Sequence, residues 1–84
     1  MPLFMDVHES LPEGATLKDV AAAHEADLKT QTEYGVRYVR YWVGEKDGKV
    51  FCLAEAPNAD AAATVHREAH GLVADQIYEV VEGS

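Results

Sequence analysis

The stretch VRYVRYWVGEKDGKVFCLAEA, residues 36–56, decides how this chain is built. Residues 36–43 are β-branched, aromatic or arginine, a composition suited to a pleated, half-buried strand. Residues 45–48, EKDG, then carry the Asp-Gly hairpin signal. Residues 49–56 return as the antiparallel partner, and Pro57-Asn58 closes that strand.

On either side of this hairpin the pattern changes to helix and then back to strand. Upstream, Thr16 reads as the N-cap of a helix over residues 17–32, with Asp19 completing a weak capping box. Its apolar stripe is Leu17, Val20, Ala21, His24 and Leu28, and Gly35 of Tyr34-Gly35 is the left-handed cap that ends it. The turn SLPEG, residues 10–14, precedes that helix and follows an alternating strand over residues 2–9. In that strand Leu3, Met5 and Val7 point one way, and Phe4, Asp6 and His8 the other. Downstream, Asn58 or Asp60 caps a second helix running from Ala59 or Asp60 to His70 and ended by Gly71, and residues 76–82 form the last strand.

The order β-α-β-β-α-β is the split βαβ, or ferredoxin-like, arrangement of α+β proteins. It predicts a single domain over residues 1–84, with two helices on one face of a four-stranded antiparallel sheet. On the central strand Arg37, Val39, Tyr41 and Val43 suit the helix-packed core, which puts Tyr38, Arg40 and Trp42 on the open face beside Phe4, Asp6 and His8. An open face carrying Phe, Tyr and Trp is an apolar patch that a monomer does not normally tolerate. A domain this small also buries a modest share of its surface. Both points predict a homodimer through the open sheet face.

Composition narrows the partners. The net charge is −8, from 15 acidic and 7 basic residues, which speaks against nucleic acid and against anionic membranes and is compatible with cations. A single cysteine, Cys52, leaves no internal disulfide and fits a reducing compartment. No run of about 18 apolar residues and no signal-peptide pattern is present, so the chain reads as cytoplasmic.

The chemistry-bearing residues are few. VHREAHG, residues 65–71, sets His66 and His70 four apart, on one helix face and close enough to share a metal ion. With Ala62, Val65, Ala69 and Leu72 marking the buried side, both histidines fall on the flank or surface of the helix. The alternative is a pair of solvated imidazoles near a helix C-terminus. His24, central in its stripe, reads as a hydrogen-bonded core histidine, while His8, beside Glu9, could join a surface metal site. A second cluster, Asp6, Arg40 and Glu55 on the open face, is either an ion-pair network fixing dimer register or a polar pocket. Cys52 is either a small buried residue or a thiolate with His66 as its base. There is no P-loop, dinucleotide glycine motif, CxxC or nucleophile elbow.

The opening PLFMDVHESLPEGAT, the central YGVRYVRYWV, the block VFCLAEAPNADAAATVHREAHGLVAD and the ending IYEVVEG together resemble a family of small actinobacterial proteins described as nickel-binding. The resemblance spans essentially the whole chain and looks close to the Streptomyces member. It implies a ferredoxin-like subunit, a homodimer, nickel(II) ions held at the dimer surface, and a role in nickel sequestration or detoxification with no catalysis. Surface binding favours exposed imidazoles over His24 or Cys52, so the expected metal set is His66, His70, His8 and Glu9. The alternative is a small dimeric ferredoxin-like enzyme or ligand-binding module, its polar pocket formed by Asp6, Arg40, Glu55, Cys52 and His66. A third reading is a purely structural oligomerisation module.

Overall fold

The computed structural model describes residues 1–83. In chain order the elements are β1 (Leu3–His8), α1 (Leu17–Thr30), a 3-10 turn (Gln31–Tyr34), β2 (Arg37–Gly44), β3 (Lys49–Glu55), α2 (Ala59–Ala69) and β4 (Gln76–Val80). The sheet order is β2-β3-β1-β4 with every neighbouring pair antiparallel, and this is the ferredoxin-like arrangement expected from the element order. β1 is therefore central, and side chains on its helix-facing side enter the middle of the domain.

Local chemistry sets the element ends. Thr16 and Asp19 form a reciprocal capping box: the Thr16 amide donates to Asp19 Oδ2 at 2.8 Å and the Asp19 amide donates to Thr16 Oγ1 at 3.3 Å. α1 ends two residues short of the expected 32, because the chain tightens into the 3-10 turn before Gly35 stops it at φ 68°. On α2, Asn58 is the N-cap, its side chain accepting the Ala61 amide at 2.8 Å. β4 ends at Val80, earlier than the expected 82.

Which side of each strand faces the helices differs from expectation in two places. Phe4 and Asp6 are buried beneath the helices, while Leu3, Met5 and Val7 lie half-buried on the open face. Alternation separates two faces without saying which is inside, and Asp6 is inside because it finds polar partners there. Tyr38 is buried as well, not on the open face. A bulge between Tyr38 and Arg40 adds a residue to β2, so Tyr38 and Tyr41 both face the helices while Arg40 and Trp42 face out. Phe51, Leu53 and Glu55 do lie on the open side, opposite buried Val50, Cys52 and Ala54. Asp6 is thus separated from Arg40 and Glu55 by the sheet itself, and Glu55 pairs instead with Arg37 at 2.8 Å. The open-face polar pocket does not form.

The helix stripes are also displaced. Leu17 and Leu28 are exposed, and the buried residue of α1 is Asp27. The inward side of α1 carries Val20, Ala23, His24 and Asp27.

Candidate metal centre

A polar cluster occupies the space between the helices and the sheet. β1 brings Asp6 and His8, β2 brings Tyr38 and Tyr41, β3 brings Cys52, α1 brings His24 and Asp27, and α2 brings His66 and His70. At its centre is His66, 1% exposed, although its spacing placed it on the flank of α2. That expectation weighted Leu72, which lies beyond the helix end at Ala69 and pulled the stripe's centre away from His66. The packed face is Ala59, Ala62, Val65, His66 and Ala69.

Both ring nitrogens of His66 face carboxylates. Nδ1 lies 2.9 Å from Asp27 Oδ1 and Nε2 lies 2.8 Å from Asp6 Oδ2. Tyr38 stacks on the ring at a centroid separation of 4.7 Å, and its hydroxyl donates to the same Asp6 Oδ2 at 2.5 Å. His70, the C-cap residue of α2, brings Nε2 to 3.0 Å from Asp27 Oδ1 while its Nδ1 accepts the Leu72 amide at 3.0 Å. His8 meets the His66 ring edge-on at 5.1 Å.

Burial alone would lower the His66 pKa, but its close contacts with Asp27, Asp6 and Cys52 outweigh it and push it up to about 11, so the ring is an imidazolium at neutral pH. Burial works against the Asp27 carboxylate, yet hydrogen bonds from His66 and His70 bring its pKa below the ordinary value. His8 is lowered by burial and then by the His66 charge. Burial pushes the Cys52 thiol up, against a smaller opposing pull from His66, so Cys52 is a thiol and a poor nucleophile. The Tyr38 hydroxyl is raised by burial and by Asp6, and stays protonated.

Two overlapping donor sets result among the described residues. Asp27, His66 and His70 offer ligand atoms within 4.8 Å of one another, as do His8, Cys52 and His66. Neither His66 Nε2 nor His70 Nε2 has an aligned hydrogen-bond partner, although a carboxylate oxygen lies within about 3 Å of each, off the axis of the ring nitrogen. Asp27 Oδ1 is shared by His66 Nδ1 at 2.9 Å and His70 Nε2 at 3.0 Å, and two imidazole nitrogens on one carboxylate oxygen are a donor set suited to a borderline divalent ion. A cavity of about 460 Å³ opens onto the cluster, with His8, Asp27, Cys52, His66 and His70 in its wall.

Of the expected metal set, His66, His70 and His8 come together, and they are recessed where surface placement was expected. Glu9 does not join them: its carboxylate pairs with Lys49 at 3.1 Å at the exposed end of β1. His66 and Cys52 are neighbours, as the thiolate reading required. Asp27 was missed altogether. The signal available for it was its place seven residues after Val20 and three after His24, on the same helical stripe.

Fold and cluster together define a small ferredoxin-like domain that carries a recessed histidine–aspartate donor site. A family model described as nickel responsive protein SCO4226-like matches residues 4–80, and the chain belongs to that family. The crystal structure of SCO4226 from Streptomyces coelicolor A3(2) is similar to it with a TM-score of 0.88 at 36% identity, covering 98% of this chain and 99% of that one. Comparison with the curated proteins gives no match. Among the described residues, no helix is long and apolar enough to cross a membrane.

Proposed function

We propose that this chain binds nickel(II) and sequesters it, as a cytoplasmic, non-enzymatic homodimer. The observation that carries the reading is the donor set Asp27, His66 and His70, gathered within 4.8 Å at the end of an open cavity. Nickel(II) accepts imidazole and carboxylate in one site, and the family's name ties these proteins to nickel. When bound, the ion supplies the positive charge that buried Asp27 otherwise takes from the His66 imidazolium.

The chain's own groups define how loading proceeds. To hold the ion through Nδ1, His66 would release that proton to solvent and keep the one on Nε2, which faces Asp6 at 2.8 Å. Asp6, held by the Tyr38 hydroxyl, then acts as the outer carboxylate that orients a ligating histidine. His70 is held differently, since its Nδ1 accepts the Leu72 amide. To hold the ion through Nε2, His70 would carry its ring proton on Nδ1 and so release that amide. Loading is therefore proton-coupled.

The dimer is supported by the sheet face turned away from the helices. Trp42 is 47% and Tyr78 51% exposed there, with Met5, Phe51 and Leu53 between them, an apolar surface that water disfavours. Isothermal titration of nickel into wild type, His70→Ala and the double variant His66→Ala/His70→Ala tests the proposal. Loss of binding in the folded variants is expected, and unchanged binding removes the reading.

A second reading, a small-molecule binding module, is favoured by the cavity itself, whose wall includes Cys52 and His66.

A further inference from the structure

We infer that the cavity beside the cluster takes nickel(II) together with one small chelating amino-carboxylate, as a cationic complex with an apolar body. This rests on the nickel site proposed above and adds what travels with the ion.

Size is the first argument. The cavity measures about 460 Å³. A fully hydrated ion displaces on the order of 200 Å³, taking about 30 Å³ per water. More than half the space would remain, and the volume falls within the range of roughly 300–1,000 Å³ typical of pockets for organic ligands.

The lining is divided in the same sense. The donors lie within 4.8 Å of one another, whereas Leu11, Val20, Ala23, Val50, Leu72 and Val73 supply apolar wall. Metal-bound water would find no hydrogen-bond partner on those side chains, while the hydrocarbon part of a ligand is stabilised there. His24 in the wall, packed on Tyr41 at 4.7 Å, has a buried Nδ1 with no hydrogen-bond partner and can meet a polar group of the ligand.

Charge selects the class. Glu13, Asp19, Asp27 and Asp75 line the cavity, and no lysine or arginine does so among the described residues. A free carboxylate would be repelled from these walls. Nickel(II) bound to one singly charged amino-carboxylate keeps a net positive charge and is attracted. Asp27, His66 and His70 offer one ligand atom each, short of an octahedral set, so a ligand carrying amine and carboxylate donors would complete it.

The probe is L-histidine, measured by titration calorimetry and by the amount retained after gel filtration. The three samples are nickel(II) alone, L-histidine alone, and an equimolar mixture. Wild type is expected to retain L-histidine one-to-one with nickel, and to bind nickel about tenfold more tightly with the amino acid present than after free L-histidine competes for a site that takes only the bare ion. Leu11→Trp and Val73→Trp fill the apolar side from the two loops that border it, outside both helices. Both variants should bind nickel alone like wild type and lose L-histidine. Stripping of nickel from wild type by equimolar L-histidine overturns the inference and leaves the nickel site standing. So does metal-free binding of L-histidine, or undiminished retention by both filled variants. Absence of nickel binding in the first sample overturns the site and the inference together.

Discussion

His66 on α2 and Asp27 on α1 meet with Nδ1 and Oδ1 2.9 Å apart, and this contact ties the two helices together at a fully buried point. A charged pair so placed is costly to desolvate and more costly to leave half-made. Asp6 and Tyr38 complete the surroundings of the ring on the sheet side.

Replacing Asp27 with alanine strands the His66 imidazolium and removes the partner of His70. Breaking a buried pair on one side costs about 3–5 kcal/mol. Urea unfolding at mildly acidic pH should show a loss of that order for Asp27→Ala; a loss below about 1 kcal/mol would mean that the pair is not holding the helices.

The stability of the metal-free protein should depend on pH with a definite sign. The His66 pKa is raised from 6.5 to about 11, so its contribution is complete below 6.5 and is lost as pH rises toward 11. The Asp27 pKa is lowered from 3.8, so its contribution is complete above 3.8 and is lost as pH falls through the depressed value. Both are intact between 3.8 and 6.5. His8, lowered from 6.5 by burial and by His66, trims the acid side of that window by resisting protonation. Thermal unfolding should therefore give a higher Tm near pH 6 than near pH 9, and a flat or rising profile would contradict the account.

The Leu72 amide, bonded to His70 Nδ1, is a local reporter of loading. Nickel should raise its hydrogen-exchange rate while the α2 core around Val65 becomes better protected. His70→Ala should exchange fast at Leu72 with or without metal. Unchanged Leu72 exchange in wild type would mean that His70 does not ligate through Nε2.

Trp42→Asp places a carboxylate on the proposed dimer face without touching the helix side of the sheet. Sedimentation should show wild type as a dimer and the variant as a folded monomer, with Tm falling as dilution separates the wild-type pair. A dimeric variant would relocate the interface.

The hairpin of residues 36–56, both helix caps and the order of elements were legible because each depends on local chemistry: β-branched composition, Asp47-Gly48, the Thr16–Asp19 capping box, Gly35. The inside–outside assignment was less so. A bulge at Val39 reverses the alternation that makes a strand readable, and nothing in VRYVRYWV announces it. Asp6 read as an open-face carboxylate clustered with Arg40 and Glu55, and Asp27 drew no reading, because the burial of both depends on partners distant in sequence, with His66 39 residues beyond Asp27. The histidines themselves were found by spacing. What spacing could not supply was the depth of His66, since helix α2 ends before the Leu72 that seemed to mark its buried side.

The most direct test of a metal site at Asp27, His66 and His70 is a nickel-loaded crystal measured at the nickel absorption edge. The account predicts an anomalous peak between those three side chains, with His66 Nε2 still facing Asp6. A protein that takes up nickel but shows peaks only on exposed carboxylates such as Glu9, with the His66–Asp27 pair undisturbed, would contradict it.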